Sequence, residues 1–137
     1  MGEGGFDSGA LTTNSFEAIG QLGNLNVGDN RQRGQNDGRA AIVQVGFHNV
    51  GVNTQAVDTY APPLYGSGEQ DSAVVAQFGS NNFGLNLQDS SNSSNSFIAQ
   101  TGENNDGANI QIGGTDQVTT IVQDGTDNHG LNYRKDG

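Results

Sequence analysis

Residues 72–88 read Ser-Ala-Val-Val-Ala-Gln-Phe-Gly-Ser-Asn-Asn-Phe-Gly-Leu-Asn-Leu-Gln. A short β-type run leads into Gln77, and beyond Asn82 the chain alternates at period two between fixed residues and variable ones. Successive strand side chains point to opposite faces, so this alternation predicts strands and not helices. Between the two runs stands Gly-x-x-Asn, which reads as a turn because Gly and Asn tolerate the positive φ of a chain reversal. The expectation is a strand, a tight arc, a second strand and a loop.

The same pattern is spelled five times. Its copies are Gln21-Gly23-Asn26-Gly28-Asn30-Gln32, Gln44-Gly46-Asn49-Gly51-Asn53-Gln55 and Gln77-Gly79-Asn82-Gly84-Asn86-Gln88. Two more follow, Gln100-Gly102-Asn105-Gly107-Asn109-Gln111 and Gln123-Gly125-Asn128-Gly130-Asn132, the last with Arg134 in place of its closing Gln. Two residues before each leading Gln stands a β-branched aliphatic: Ile19, Ile42, Val75, Ile98 and Ile121. Four residues before it the side chain is small, Ala40, Ala73, Ser96 or Thr119, except for Glu17 in the first copy. The leading Gln recurs after 23 residues, then 33, then 23 and 23. Self-similarity at such a period marks one supersecondary unit stacked on its own copies.

One strand–arc–strand unit cannot bury a face alone, but stacked copies can, each strand pairing in register with its equivalent about 4.8 Å away. The predicted fold is therefore all-β: a parallel in-register β-solenoid of about five repeats and about five turns, roughly 24 Å tall. The repeats fall near 15–32, 38–55, 71–88, 94–111 and 117–134, within a solenoid spanning 14–134. The fixed residues should face inward, because stacking constrains an interior more than a surface. Asn and Gln amides both donate and accept, so a buried amide is satisfied by its copies in adjacent turns. Ile and Val would form the apolar column. The first Gly of each frame would serve the arc. The second would stand where two sheet faces approach too closely for a side chain. Outward positions of the second strand vary: Val27, Asp29 and Arg31 in one copy, Phe83, Leu85 and Leu87 in another, His129, Leu131 and Tyr133 in the last. The Phe-Leu-Leu set predicts an exposed apolar patch.

The one long step carries ten extra residues between Gln55 and Gln77, including Pro62-Pro63, which cannot donate ladder hydrogen bonds. A loop over 56–70 is expected there. Residues 1–13 show no frame and read as a flexible leader, and 135–137 as a tail.

Composition narrows the function. The chain is only 31% hydrophobic with net charge −10, which by itself suggests disorder, but its polar excess keeps phase. Five basic residues, Arg31, Arg33, Arg39, Arg134 and Lys135, near the first and last copies form no groove for nucleic acid. No run approaches the roughly 18 apolar residues of a membrane span. No signal peptide is visible after Met1, which fits a cytosolic chain or a mature secreted one. With no Cys, disulfides and cysteine metal sites are excluded. His48 and His129 lie at different phases of the repeat, and no catalytic constellation emerges, so no enzyme activity and no cofactor are expected. Asp89, Glu103, Asp106, Asp116, Asp124 and Asp127 are expected in arcs and loops, solvating the surface. Calcium would need Gly-Gly-x-Gly-x-Asp arrays, which are missing, so no metal site is assigned.

The copies resemble curlin repeats, Ser-x5-Gln-x-Gly-x-x-Asn-x-Ala-x3-Gln, the units of subunits that polymerise into bacterial curli. All five match the Gln, Gly and Asn spacing, four match the final Gln, and Ser15 and Ser94 match the opening Ser. Gly replaces Ala throughout, and Gly38, Asp71 and Gln117 stand at the other opening positions. The resemblance implies a secreted, extracellular subunit of a biofilm amyloid. Its implied partners are a curli-type secretion pore, a chaperone, a nucleator and, above all, further copies of itself in an end-to-end cross-β fibre. Two alternatives remain: a soluble ice- or glycan-binding solenoid, and a minor or nucleator subunit marked by Arg134 and Lys135.

Overall fold

The computed structural model describes residues 3–8, 15–33, 35–56, 68–89 and 93–136. In that span every regular element is a strand. Two parallel sheets lie face to face. One holds the first strands of the repeats in the order β12 (Val118–Thr126), β10 (Asn95–Glu103), β8 (Ser72–Ser80), β5 (Arg39–Phe47) and β2 (Phe16–Asn24). The other holds the second strands: β1 (Glu3–Ser8), β3 (Val27–Arg33), β6 (Val50–Ala56), β9 (Phe83–Asp89), β11 (Asp106–Ile112) and β13 (His129–Lys135). Neighbours in each sheet are equivalent strands of successive repeats, so the chain is an all-β solenoid of stacked coils. The five units wind through about four turns, one fewer than expected, because a turn is closed only by the start of the next unit.

Register is kept residue for residue: Gln44 pairs with Gln77 as Gln77 pairs with Gln100, although the first step is 33 residues and the second 23. Even the arcs pair between coils, with His48 N donating to Asn24 O at 3.1 Å and Asn81 N to Phe47 O at 2.9 Å.

Positive φ in the arc falls on Gly23, Gly46, Gly79, Gly102 and Gly125, as expected. The second such residue is not the frame Asn but the one before it: Leu25, His48, Asn81, Asn104 or Asp127. The Asn side chain is needed inside, so the left-handed turn moves to its solvent-facing neighbour. A second corner uses Asp37, Gln70, Ser93 and Asp116 in the same way. At Gly79 (φ 119°) an added Cβ would fall on the carbonyl oxygen of Gly102 one coil away, so the stack itself requires glycine there.

The interior is thin. A Cβ on Gly51 would lie 3.0 Å from Ile42 Cγ2 and 3.2 Å from Gln44 Nε2, which is why the second frame glycine carries no side chain. Ile42, Val75, Ile98 and Ile121, with Ile19 packed against them, form the apolar column, and nearly everything else inside is amide or hydroxyl.

Four boundaries differ from expectation. Glu3–Ser8 is no part of a flexible leader; its backbone pairs in parallel with Val27–Gln32, and the rest of the predicted leader lies outside the described residues. Of the expected loop 56–70, Ala56 ends β6 and Gly68–Glu69 forms a short strand, β7, paired with β4 (Gln35–Asn36), while 57–67 lie outside the described residues. Lys135 belongs to β13 and not to a tail, and Asp136 N donates to Ile112 O at 3.1 Å. Finally, Asp106 opens β11, Asp124 lies within β12, and Asp89 and Glu103 end their strands, so these acids project from strands as well as from arcs.

Candidate functional site

Strand alternation turns the frame residues inward, and parallel register then sets each on its own copy. The leading glutamines form one continuous ladder. Gln21 Nε2 donates to Gln44 Oε1 at 2.7 Å, Gln44 to Gln77, Gln77 to Gln100 and Gln100 to Gln123 at 2.8 Å each. From Gln44 to Gln123 each amide also donates to the facing sheet, as Gln77 does to Val50 O at 2.9 Å. The closing glutamines repeat this: Gln32 to Gln55 at 2.7 Å, Gln55 to Gln88 at 2.9 Å and Gln88 to Gln111 at 3.0 Å. In the last unit Arg134 stands in register with Gln111 and cannot accept, so this ladder ends there.

The asparagines run the other way. Asn82, Asn105 and Asn128 each donate Nδ2 back to the Oδ1 of the preceding copy, at 3.1, 3.0 and 2.9 Å. Asn49 donates its backbone N–H to Asn26 Oδ1 at 3.1 Å, and its Nδ2 reaches Gly79 O at 3.0 Å, tying the arc to the coil beyond. Asn53, Asn86, Asn109 and Asn132 likewise donate to the Oδ1 of Asn30, Asn53, Asn86 and Asn109, at 3.0 to 3.1 Å. Their amides also clamp the opposite sheet, Asn86 bonding Val74 O at 2.9 Å. Buried amides in a low-dielectric interior are costly when unpaired and rigidifying when paired, so these four columns both hold and specify the register.

The structure thus brings together the Gln columns, the Asn columns and the Ile/Val column, while the first glycines (23, 46, 79, 102, 125) lie in the arcs and the second glycines (28, 51, 84, 107, 130) face the apolar column. Burial fades at the ends: Gln21, Asn128 and Asn132 are half-buried. The sequence reading missed a further inner column at the opening position, where Gly38, Asp71, Ser94 and Gln117 are all buried, Asp71 Oδ1 accepting Ser94 N at 2.9 Å. The signal was available: these positions lie six residues before the leading Gln, on its own face.

Comparison of the chain with protein-family models, with curated proteins and with solved structures gives no match. Among the described residues no helix is long and apolar enough to cross a membrane, and no three His, Asp or Glu side chains cluster to hold a metal ion. What the arrangement offers is two strand-bearing ends, at which the leading-Gln column and both Asn columns stop without an intrinsic reason to stop.

Proposed function

We propose that the protein is the structural subunit of an extracellular, curli-like amyloid fibre, adding copies end to end by templated strand stacking. The observation that supports this reading is the direction of the ladders. Both Gln columns donate toward the C-terminal end, and both Asn columns donate toward the N-terminal end. With β1 displaced from β3, a second copy docked head to tail, its β2 and β3 upon β12 and β13, meets matching chemistry in the Gln and Asn columns. Gln123 donates onward to Gln21 of the added copy, while Asn26 and Asn30 of that copy donate back to Asn128 and Asn132. Arg134, a donor only, meets Gln32, whose Oε1 is buried and unpartnered. The one irregularity of the frame, Arg134, is thus complementary to the unpartnered acceptor of Gln32 at the other end. Head-to-head docking would instead oppose like with like.

In this mechanism the exposed strands of a fibre end order an incoming chain, whose amides find partners only in register. Secretion and a role in biofilm matrix are carried by the resemblance to curlin repeats alone. Purified monomer should show a lag, then give thioflavin-positive fibres with a roughly 4.8 Å reflection along the fibre axis, and seeds should abolish the lag. A monomer that stays soluble for days at high concentration, seeded or not, would sink the reading.

A further inference from the structure

Polar residues fill the inside of this solenoid, and apolar ones cover much of its outside. The clearest case is the outer face of the sheet β2–β5–β8–β10–β12. Leu22 is 69% exposed, Phe78 45%, Phe97 38% and Val122 70%. Charge is sparse: among the outward residues of these five strands only Arg39, Glu103 and Asp124 are charged, the first two at strand ends and the third on the last strand in the row of Phe78. A chain of net charge −10 therefore keeps one broad face nearly free of charge.

The face has relief as well as polarity. Leu22, Val45 and Phe78 stack in register into an apolar ridge along the solenoid axis, which Thr101 and Asp124 continue over the last two coils. Beside it, two residues back along each strand, runs the column Gly20, Val43, Ala76, Ala99 and Val122, low at the β2, β8 and β10 coils and raised at Val43 and Val122. Beyond that column Val74 and Phe97 stand up again, so Ala76 and Ala99 floor a trough about 13 Å wide at the β8 and β10 coils.

We infer that this face pairs with the same face of a second copy in a neighbouring stack, related by a two-fold axis parallel to the solenoid axis. That operation sets the ridge of each copy into the trough of the other, Phe78 over Ala76 and Leu22 over Gly20. Both stacks keep the same rung spacing of about 4.8 Å, so the two faces stay in step and the seam continues along a fibre, with a small residue opposite at the β2, β8 and β10 coils and a valine opposite at the β5 and β12 coils. The area is adequate: nine-residue strands of about 30 Å across five rungs of about 24 Å give roughly 700 Å² per copy, or about 1,400 Å² in all, within the usual range for a specific interface. The outer face of the other sheet suits this less, because the Asp29–Arg31 pair (2.6 Å) occupies one end and Asp106–His129 (3.2 Å) the other. The inference deepens the fibre reading and rests on it for the continuous seam, but not for the pairing of two faces.

Mass per unit length of unstained fibres, by scanning transmission electron microscopy, tests it. Wild-type fibres should hold two chains per roughly 24 Å of axis. Ala99→Lys, which puts a charge on the trough floor, should give fibres with one chain per roughly 24 Å and an unchanged 4.8 Å reflection. Ala108→Lys, on the other outer face, should keep two. A wild type with one chain, or an Ala99→Lys variant that keeps two, overturns the inference and leaves end-to-end growth standing. If no fibres form, the fibre reading fails, and sedimentation of the soluble protein decides the pairing: a wild-type dimer that Ala99→Lys makes monomeric supports it, and a wild-type monomer overturns it. A wild type that stays single but coats phosphatidylcholine vesicles, and loses this on Ala99→Lys, would give the face to a lipid surface and also overturn the pairing.

Discussion

At the scale of single residues, two kinds of position decide whether this chain stacks. One is the inner amide. Gln77 accepts from Gln44 and donates to Gln100 and to Val50 O. Gln77→Leu would leave those groups buried without partners, at about 1–3 kcal/mol for each one unsatisfied. A loss of several kcal/mol is expected in denaturant unfolding, with slower fibre growth. His48→Asn, at an exposed left-handed arc position that Asn adopts readily, should change stability by less than about 0.5 kcal/mol. Equal effects would refute the claim that register is held by the ladders. The other kind is the glycine. Gly79→Ala sets a methyl on a backbone carbonyl at φ 119°, a combination no rotamer relieves, and should cost more than about 2 kcal/mol or prevent folding. At Gly20 an added Cβ would meet nothing within 4 Å and the φ is ordinary, so Gly20→Ala should be neutral or stabilising by up to about 1 kcal/mol. The two unfolding midpoints, measured side by side, check both statements.

At the scale of elements, most of the fold was legible, because one feature was written five times. Period-two alternation set the strands, and the recurrence of Gln-x-Gly-x-x-Asn set their register. The exact turn geometry was not legible: Gly-x-x-Asn is compatible with positive φ at either the Asn or its predecessor, and only the demand for Asn inside the stack chooses the predecessor. The pairing of β1 was equally hidden. Glu3–Ser8 keeps one frame glycine, Gly4 opposite Gly28, but has Phe6 and Ser8 in register with Asn30 and Gln32. Nor did the sequence say that coils flanking the long step would pair directly. They do, β5 with β8 and β6 with β9, in the same register as elsewhere. Deleting residues 58–67 should therefore restore a 23-residue step and bring Gly68 to the position that Ser91 holds after Gln88. The expected result is an unchanged β-sheet circular dichroism spectrum and an unfolding midpoint no lower than that of the parent. Loss of the β-sheet signal would mean that the insertion is needed to close the coil.

At the scale of the whole molecule, the two sheets are unequal: the second-strand sheet has six members and the first-strand sheet five, because β1 adds a rung over β3 with nothing described over β2. The C-terminal end carries β12 and β13 on the same rung, so it is flush. A flush end cannot seat on a stepped one without leaving one strand's width empty between β12 and the β2 of the next copy. The proposed continuous stacking would require β1 to leave β3, so that β13 of another copy takes its place. In the proposed fibre the exchange would give Gln32 Oε1 the donor it lacks, from Arg134 of the added copy. In this view β1 is a weak stand-in rung that slows growth at one end. Removal of residues 1–13 should leave unfolding nearly unchanged and speed seeded elongation several-fold. Phe6→Asn with Ser8→Gln gives β1 the ladder amides and should slow it. Elongation rates from preformed seeds, measured for all three chains at equal concentration, separate this from a passive leader, for which neither change would move the rate. If the shortened chain elongates more slowly than the full one, β1 is part of the growing edge and not a cap upon it.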